Sequence, residues 1–277
     1  MSNKPSVSLL LVCLSLCFAC TYVPQAEQSL NSINIQGEPG SFHGFRMYSF
    51  EFQGRQSRIV VPKIAADGNP WVWRARFFGH RPEVDMALLS RGYFVAFIDV
   101  SDLYGSAEAV RLWNEFYAYL TSEYDFAPEV ALEGMSRGGL IVFNWTAANP
   151  EKVACIYADA PVCDLRSWPG GKMSGRGSSE DWQKSLSAYK LTEEEAMQFA
   201  GNPVDKAEIL VKAKIPLLVV SGDADDIVPY EENAQKIVEA YKKAKLKPRV
   251  ILKEGVGHTH GLDDPQPIID FILKHSP

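Results

Sequence analysis

The chain reads as an α/β fold: a mostly parallel, doubly wound sheet with helices on both faces and a helical lid inserted over one edge. Three observations predict it. Short runs rich in β-branched and aromatic residues, several of them almost wholly apolar, recur as strands buried on both faces should. Segments of helical period, long enough for right-handed crossovers, take turns with them. The turn Gly134-Met135-Ser136-Arg137-Gly138-Gly139 stands where one such strand gives way to one such helix.

Taken in order, the chain begins with Lys4 and the apolar run Leu9 to Ala19, too short to span a bilayer comfortably and closed by a small residue. These are the marks of an export segment over residues 1–20. Its end, Phe18-Ala19-Cys20, resembles a bacterial lipobox with Cys17 in place of the usual leucine, which implies acylation of Cys20 and a membrane tether. Simple cleavage and secretion is one alternative and a buried helix the other. Residues 21–41 read as a linker and 42–277 as one domain. An antiparallel hairpin opens the domain, with strands over Phe42–Phe52 and Ser57–Val61 around Gln53-Gly54-Arg55. Parallel strands are then expected at Trp71–Phe78, Phe94–Asp99, Val130–Gly134, Val153–Ala158, Pro216–Ser221 and Pro248–Lys253. Helices are expected between and after them at Pro82–Ser90, Ser106–Ser122, Gly138–Ala148, Tyr230–Lys245 and Pro265–Lys274. Roughly 55 residues separate the strand ending near Ala158 from that starting at Pro216, where a crossover needs a dozen or more. The excess is a lid insertion over about 162–213, with a Gly/Ser-rich stretch from Trp168 to Ser179. Helical patterns follow at Glu180–Tyr189 and Thr192–Ala200, the second opened by a Thr192/Glu195 capping box.

Composition narrows the function. With 277 residues, 46% of them hydrophobic and 22% charged, the chain can bury a full core without staples. A formal net charge of −6 offers nucleic-acid phosphates no cationic face, so no nucleic-acid partner is expected. Beyond the export segment only Cys155 and Cys163 remain; two buried thiols and a disulfide are both open readings. No Cys/His spacing suits a metal, and none is expected.

The 134–139 turn carries the sharpest chemical signal. Val130-Ala131-Leu132-Glu133 before it is strand-like, and Leu140 to Trp145 after it is apolar on a helical period, so Ser136 falls on the bend. Glycines two before and two after suit strained dihedrals and leave room around a nucleophile. A serine hydroxyl attacks only when a base takes its proton, so a histidine held by a carboxylate must exist elsewhere. Two later strand exits supply the types: Ser221-Gly222-Asp223-Ala224-Asp225-Asp226-Ile227-Val228-Pro229 and Gly255-Val256-Gly257-His258-Thr259-His260. His43 and His275 lie outside those exits and are not expected to be bases.

Ser, Asp and His in that order, each at a strand's carboxyl end, is the order of the α/β-hydrolases, and from about residue 55 onward the chain resembles that superfamily. The resemblance implies an α/β-hydrolase fold and a catalytic triad of Ser136, Asp225 and His258. Gly222 to Pro229 match the superfamily's Gly-x-x-Asp-x-x-Val-Pro acid segment, which places the acid at Asp225. Asp223 and Asp226, otherwise turn-forming or solvated, and Asp159 after an earlier strand are its rivals; His260 is the rival base, otherwise a loop-holding residue. One oxyanion donor is implied at the backbone N–H of Arg137. The second usually comes from a His-Gly-rich loop, but here Trp73-Arg74-Ala75-Arg76-Phe77-Phe78-Gly79-His80 stands in its place. The donor is then a backbone N–H near Arg76 or an arginine side chain, while Arg74 and Arg76 as surface or ion-paired residues is the other reading.

The elbow, the segment Asp159 to Asp164, the Trp168-Pro169-Gly170-Gly171 loop and the Gly257 to Leu262 ending together resemble exported bacterial carbohydrate esterases that remove acetyl groups. That narrower resemblance implies a periplasmic or membrane-tethered serine esterase for short-chain, acetyl esters of carbohydrate, with no cofactor. Most of the six tryptophans read as core; Trp168 is the one placed for a substrate wall. Peptide hydrolysis is the main alternative, because sequences resembling the prolyl oligopeptidase catalytic domain share this elbow. That family normally carries a large gating domain, whereas only about 45 residues precede the catalytic fold here, which favours small or surface-accessible esters. A non-catalytic binding lipoprotein on the same fold is the third reading; the intact trio argues against it.

Overall fold

The computed structural model describes Met1 and residues 35–276. Most of the export segment, Cys20 and residues 21–34 of the linker lie outside them. Nine strands make one sheet: β1 (Glu38–Phe42), β2 (Phe45–Phe52), β3 (Arg55–Val61), β4 (Trp71–Arg74), β5 (Phe94–Ile98), β6 (Val130–Met135), β7 (Val153–Asp159), β8 (Leu217–Gly222) and β9 (Arg249–Lys253). Their order is β1-β2-β3-β5-β4-β6-β7-β8-β9. The first three form an antiparallel meander joined antiparallel to β5, and from β5 to β9 every pairing is parallel. This is the α/β-hydrolase fold, with eight helices among the described residues: α1 (Glu83–Leu89), α2 (Ala107–Glu123), α3 (Gly138–Ala148), α4 (Ser179–Tyr189), α5 (Glu193–Gln198), α6 (Ala207–Ala213), α7 (Ala234–Lys243) and α8 (Gln266–His275).

The strands alternate their side chains between two cores, as a pleated sheet covered on both sides requires. Trp71 and Trp73 of β4 face α2 and α3, where Trp73 stacks on Trp113 with centroids 3.9 Å apart and meets Trp145 edge-on. Val72 faces the other way, into a cluster with Leu88 of α1 and Ile268 and Ile272 of α8. Helix α3 is buried from Gly138 to Thr146, so the segment expected to be amphipathic is apolar all round because it lies against the centre of the sheet. Cys155 and Cys163 are buried, free thiols.

The sequence placed most elements within a few residues; three departures have identifiable causes. The expected strand Phe42–Phe52 is two strands folded at His43-Gly44, both at positive φ, a turn that matches the twist of a hairpin. The sheet therefore begins at Glu38, inside the segment read as linker. Strand β4 stops at Arg74 instead of running to Phe78. There the buried guanidinium donates to the carbonyls of Phe77, at 3.2 Å, and His80, and folds residues 75–80 back over the sheet edge. Helix α7 starts at Ala234 because Asn233 leaves the helical region, its side chain committed elsewhere. Asn233 Oδ1 accepts from the N–H groups of Cys163 and Asp164, and Nδ2 donates to Ser167 Oγ and the Pro229 carbonyl.

Between β7 and β8 the chain forms an insertion, with the Thr192/Glu195 capping box opening α5; it closes near Val204, short of the expected end at about 213, because 207–213 is a helix of the main layer. Its two ends are bonded together: Val204 N–H donates to the Cys163 carbonyl, at 3.2 Å, and Leu165 N–H to Asn202 Oδ1, at 3.0 Å. Helix α6 follows this neck and packs on α3 and α7 in the main helical layer. The insertion covers its own small core of Leu165, Trp182, Leu186, Ala196 and Val228, joined to Tyr104 and Leu140.

Candidate active site

Ser136 occupies the bend between β6 and α3 with φ +49°, a left-handed conformation that side chains other than glycine's rarely adopt. Backbone hydrogen bonds hold it there. Ser136 N–H donates to the Asp159 carbonyl, and its own carbonyl accepts from Gly139 and Val162, each at 2.9 Å. The crowded glycines are not quite those expected. A Cβ on Gly134 would meet Val142 at 2.9 Å, and one on Gly139 would meet Pro161 at 2.6 Å and the Val162 carbonyl at 2.8 Å. At Gly138 the nearest atoms, Cβ of Ala75 and of Arg76, lie at 3.4 Å, so the elbow depends on Gly139 more than on Gly138.

The two later strand exits converge on this bend. His258 Nε2 lies 2.9 Å from Ser136 Oγ, and His258 Nδ1 lies 2.7 Å from Asp225 Oδ2. The carboxylate only accepts, so the Nδ1 position carries the proton and Nε2 is bare toward the serine hydroxyl. Asp225 Oδ1 accepts from the N–H groups of Ile227, at 3.0 Å, and Val228, at 2.9 Å, so its orientation is set by its own loop. The two exits fit closely: a Cβ on Gly222 would come within 2.0 Å of the Val256 carbonyl oxygen.

The rivals are sorted by the same geometry. Asp223 closes a turn by accepting from Gly255 N–H at 2.7 Å, and exposed Asp226 pairs with Arg176 at 2.5 Å. Asp159 is fully buried but does not reach His258; it accepts from Tyr157 O–H at 2.5 Å and Gly261 N–H at 2.6 Å, and its Oδ1 faces His260 Nδ1 at 3.7 Å. His260 packs edge-on to His258 with centroids 5.0 Å apart, so Asp159 and His260 shape the loop that carries the base. His43 lies in the β1–β2 turn and His275 ends α8.

The backbone N–H groups of Arg76 and Arg137 have no acceptor among the described residues, and Gly138 brings the two segments together, its Cβ direction lying 3.8 Å from Arg76 N. Arg76 and Arg137 also line a narrow crevice with Ala75, Val100, Tyr104, Gly105, Gly138 and Ile141. The side chains diverge. Arg74 is ion-paired and buried, as the alternative reading held, beside Asp85 at 2.5 Å and Glu133 at 3.1 Å. Arg137 donates to Asp181 at 2.9 Å and to Tyr104 O–H at 3.2 Å, with its guanidinium over the Tyr104 and Trp168 rings. Trp168, half-buried, packs against the buried Tyr104, centroids 6.4 Å apart. Burial and the Asp181 carboxylate push the Tyr104 hydroxyl up to about 12. Burial alone would raise the Asp181 carboxyl, but hydrogen bonds from Tyr104 and Ser178 and the charge of Arg137 bring it below its usual range.

Tyr104 and Asp181 escaped the sequence reading. Tyr104 follows a strand exit with φ +48°, and Asp181 sits in the first turn of α4, some forty residues from the nucleophile; neither belongs to a motif. Among the described residues no group of three or more His, Cys, Asp or Glu side chains is arranged to hold a metal.

Comparison with known proteins places this geometry. Residues 83–275 match the model of the prolyl oligopeptidase family. No curated protein matches the chain significantly. Among solved structures, Pyrococcus horikoshii acylaminoacyl peptidase superposes with a TM-score of 0.64 at 14% identity over 86% of this chain and 41% of its own. Porphyromonas gingivalis dipeptidyl peptidase 4 gives 0.62 at 18% identity, over 83% and 35%. An S-formylglutathione hydrolase from Agrobacterium tumefaciens gives 0.61 at 16% identity, over 86% and 95%. The chain therefore spans about a third of the dipeptidyl peptidase, and nearly the full length of the small hydrolase.

Proposed function

The chain belongs to the prolyl oligopeptidase family of serine hydrolases, and from that premise we propose that it cleaves short-chain, acetyl esters of carbohydrate through an acyl-enzyme on Ser136. The observation that carries this reading is the hydrogen-bonded row Ser136, His258, Asp225 set beside two unengaged N–H groups.

In this mechanism Ser136 Oγ attacks the ester carbonyl while His258 Nε2 takes its proton. Asp225 holds the ring and stabilises the imidazolium. The oxyanion is held by the Arg76 and Arg137 N–H groups, positioned before the reaction begins. His258 then gives its proton to the departing alcohol oxygen; in the second half it takes a proton from water as that oxygen bonds to the acyl carbon, and returns it to Ser136 Oγ as the bond to the acid breaks. The half-buried Trp168 offers an aromatic face for a pyranose. No step calls on a cofactor.

Peptide hydrolysis is the second reading, favoured by the family itself and by two structural neighbours that are peptidases. One assay separates them: nitrophenyl acetate, butyrate and octanoate, acetylated polysaccharide, and peptide nitroanilides, each with wild type and Ser136→Ala. The proposal expects turnover that falls with acyl length, acetate release, and loss of both in the variant. Nitroanilide cleavage without ester preference would replace it with the peptidase reading. Binding of substrate without turnover would restore the non-catalytic one. We further place the enzyme outside the cytoplasm, tethered through Cys20, which radiolabelled palmitate incorporation lost in Cys20→Ala would support.

A further inference from the structure

We propose that the Arg76 side chain selects the substrate, by binding a carboxylate on the sugar, so that the preferred substrates are acetyl esters of uronate residues in acidic polysaccharide. This deepens the esterase reading and rests on it.

The inference comes from an arginine with nothing to hold. Other guanidiniums around this site have partners: Arg74 has Asp85 and Glu133, Arg137 has Asp181, Arg166 has Asp164 and Arg176 has Asp226. Arg76 lies in no ion pair among the described residues. Its Nε is buried and bonded to no acceptor. The side chain is nonetheless half-buried, and a buried polar donor left unpaired is costly in a resting protein. Burial, followed by the like charge of Arg137, lowers its pKa to about 10, so the group remains a cation at neutral pH. Asp99 and Asp181 oppose this effect from a distance, but Asp99 accepts the Ser101 N–H and Asp181 is taken by Arg137. Arg76 therefore brings to the site a positive charge that no carboxylate contacts among the described residues.

Its placement suits a ligand better than a structural partner. The residue follows β4 by two positions, and its backbone N–H is one of the two unengaged donors beside Ser136. The guanidinium lies over the Phe77 ring, 4.4 Å from the centroid, which steadies its plane without using its edge. A planar fork with free N–H groups matches a carboxylate bidentately. Tyr104 lines the same crevice and packs against the half-buried Trp168, so a sugar ring on Trp168 and a carboxylate on Arg76 are served by one pose.

The test uses matched substrates: monoacetylated methyl glucuronoside and monoacetylated methyl glucoside, with wild type, Arg76→Met and Arg76→Lys, each checked for folding by circular dichroism. A charge-assisted bidentate contact predicts a preference for the uronate of roughly tenfold or more in kcat/KM. That ratio should fall to near one in Arg76→Met and lie between in Arg76→Lys. Free methyl glucuronoside should inhibit wild type more strongly than methyl glucoside and lose this advantage in Arg76→Met. Equal turnover of both sugars by wild type, or a preference that survives in Arg76→Met, would overturn the role of Arg76 and leave the esterase reading standing. Inertness on both sugars with cleavage of peptides, or a carboxylate preference confined to peptide substrates, would overturn the proposal together with the sugar-ester reading.

Discussion

Glu133→Gln should make the protein more stable at alkaline pH while changing little at pH 5. Glu133 of β6 and Asp85 of α1 are both fully buried beside one guanidinium, that of Arg74. One cation cannot neutralise two carboxylates, and burial pushes the Glu133 carboxyl up to about 8 against the pull of Arg74, with Asp85 and Asp159 adding to the rise. Burial raises Asp85 as well. Asp85 Oδ1 and both Glu133 oxygens otherwise lack hydrogen-bond partners, so one proton on Glu133, shared with Asp85, satisfies both groups. A carboxyl whose pKa is higher folded than unfolded stabilises the protein fully below the unfolded value, near 4.5, and loses that contribution as pH rises through the folded value, near 8. Each pH unit in that window is worth about 1.4 kcal/mol, so wild type should lose on the order of 4 kcal/mol between pH 5 and pH 8 from this group. The glutamine carries a permanent N–H toward Asp85 and has nothing to ionise. Urea unfolding of both proteins from pH 5 to pH 9 measures the difference. Curves that stay parallel across the range would refute a protonated Glu133.

Other consequences are equally open to measurement. Arg74→Met strands the Asp85 carboxyl and frees the 75–80 segment from its carbonyl contacts; we expect a loss of about 3 kcal/mol or more and a kcat that falls further than KM changes, whereas intact kcat in a folded variant would separate that segment from oxyanion binding. Gly139→Ala drives a Cβ into Pro161 and the Val162 carbonyl, and should abolish labelling of Ser136 by a fluorophosphonate; full labelling would show that the elbow relaxes freely. Asn233→Ala removes four hydrogen bonds, three that join the root of the insertion to the acid loop and one within that loop, costing roughly 2–4 kcal/mol. It should impair polysaccharide turnover more than nitrophenyl acetate turnover, and an equal effect on both would detach the insertion from substrate binding.

Much of this architecture was legible in the residues because it depends on local pattern. Runs such as Phe94 to Ile98 and Val153 to Asp159 are buried along their whole length and announce themselves by composition. The elbow was legible for the same reason, since its glycines and the strand and helix around it are contiguous. The meeting of Ser136 with His258 and Asp225 required the order of strand exits, which the superfamily resemblance supplied. What stayed hidden depends on contacts between distant segments. Nothing near Arg74 in sequence says that its partner is Asp85 or that the pair ends β4 early. Asn233 reads as one more helical residue until its side chain is found binding residues seventy positions earlier. Tyr104 meets Arg137 from the loop after β5, and Asp181 does so only because the insertion folds back over the sheet edge.

The bonded neck of that insertion, Cys163 to Val204 and Leu165 to Asn202, makes it an exchangeable cassette. Everything between those paired residues leaves and re-enters the main body at nearly the same point, so its length and sequence can vary without disturbing the strand order. The neck itself cannot vary so freely, because Pro161 and Val162 also brace the nucleophile's bend. A recombination boundary drawn just inside the neck would carry Trp168 and Asp181 to a new scaffold as one unit, and with them two of the groups packed around Arg137. A closed loop of this kind can be replaced while the row of Ser136, His258 and Asp225 beneath it keeps its own hydrogen bonds.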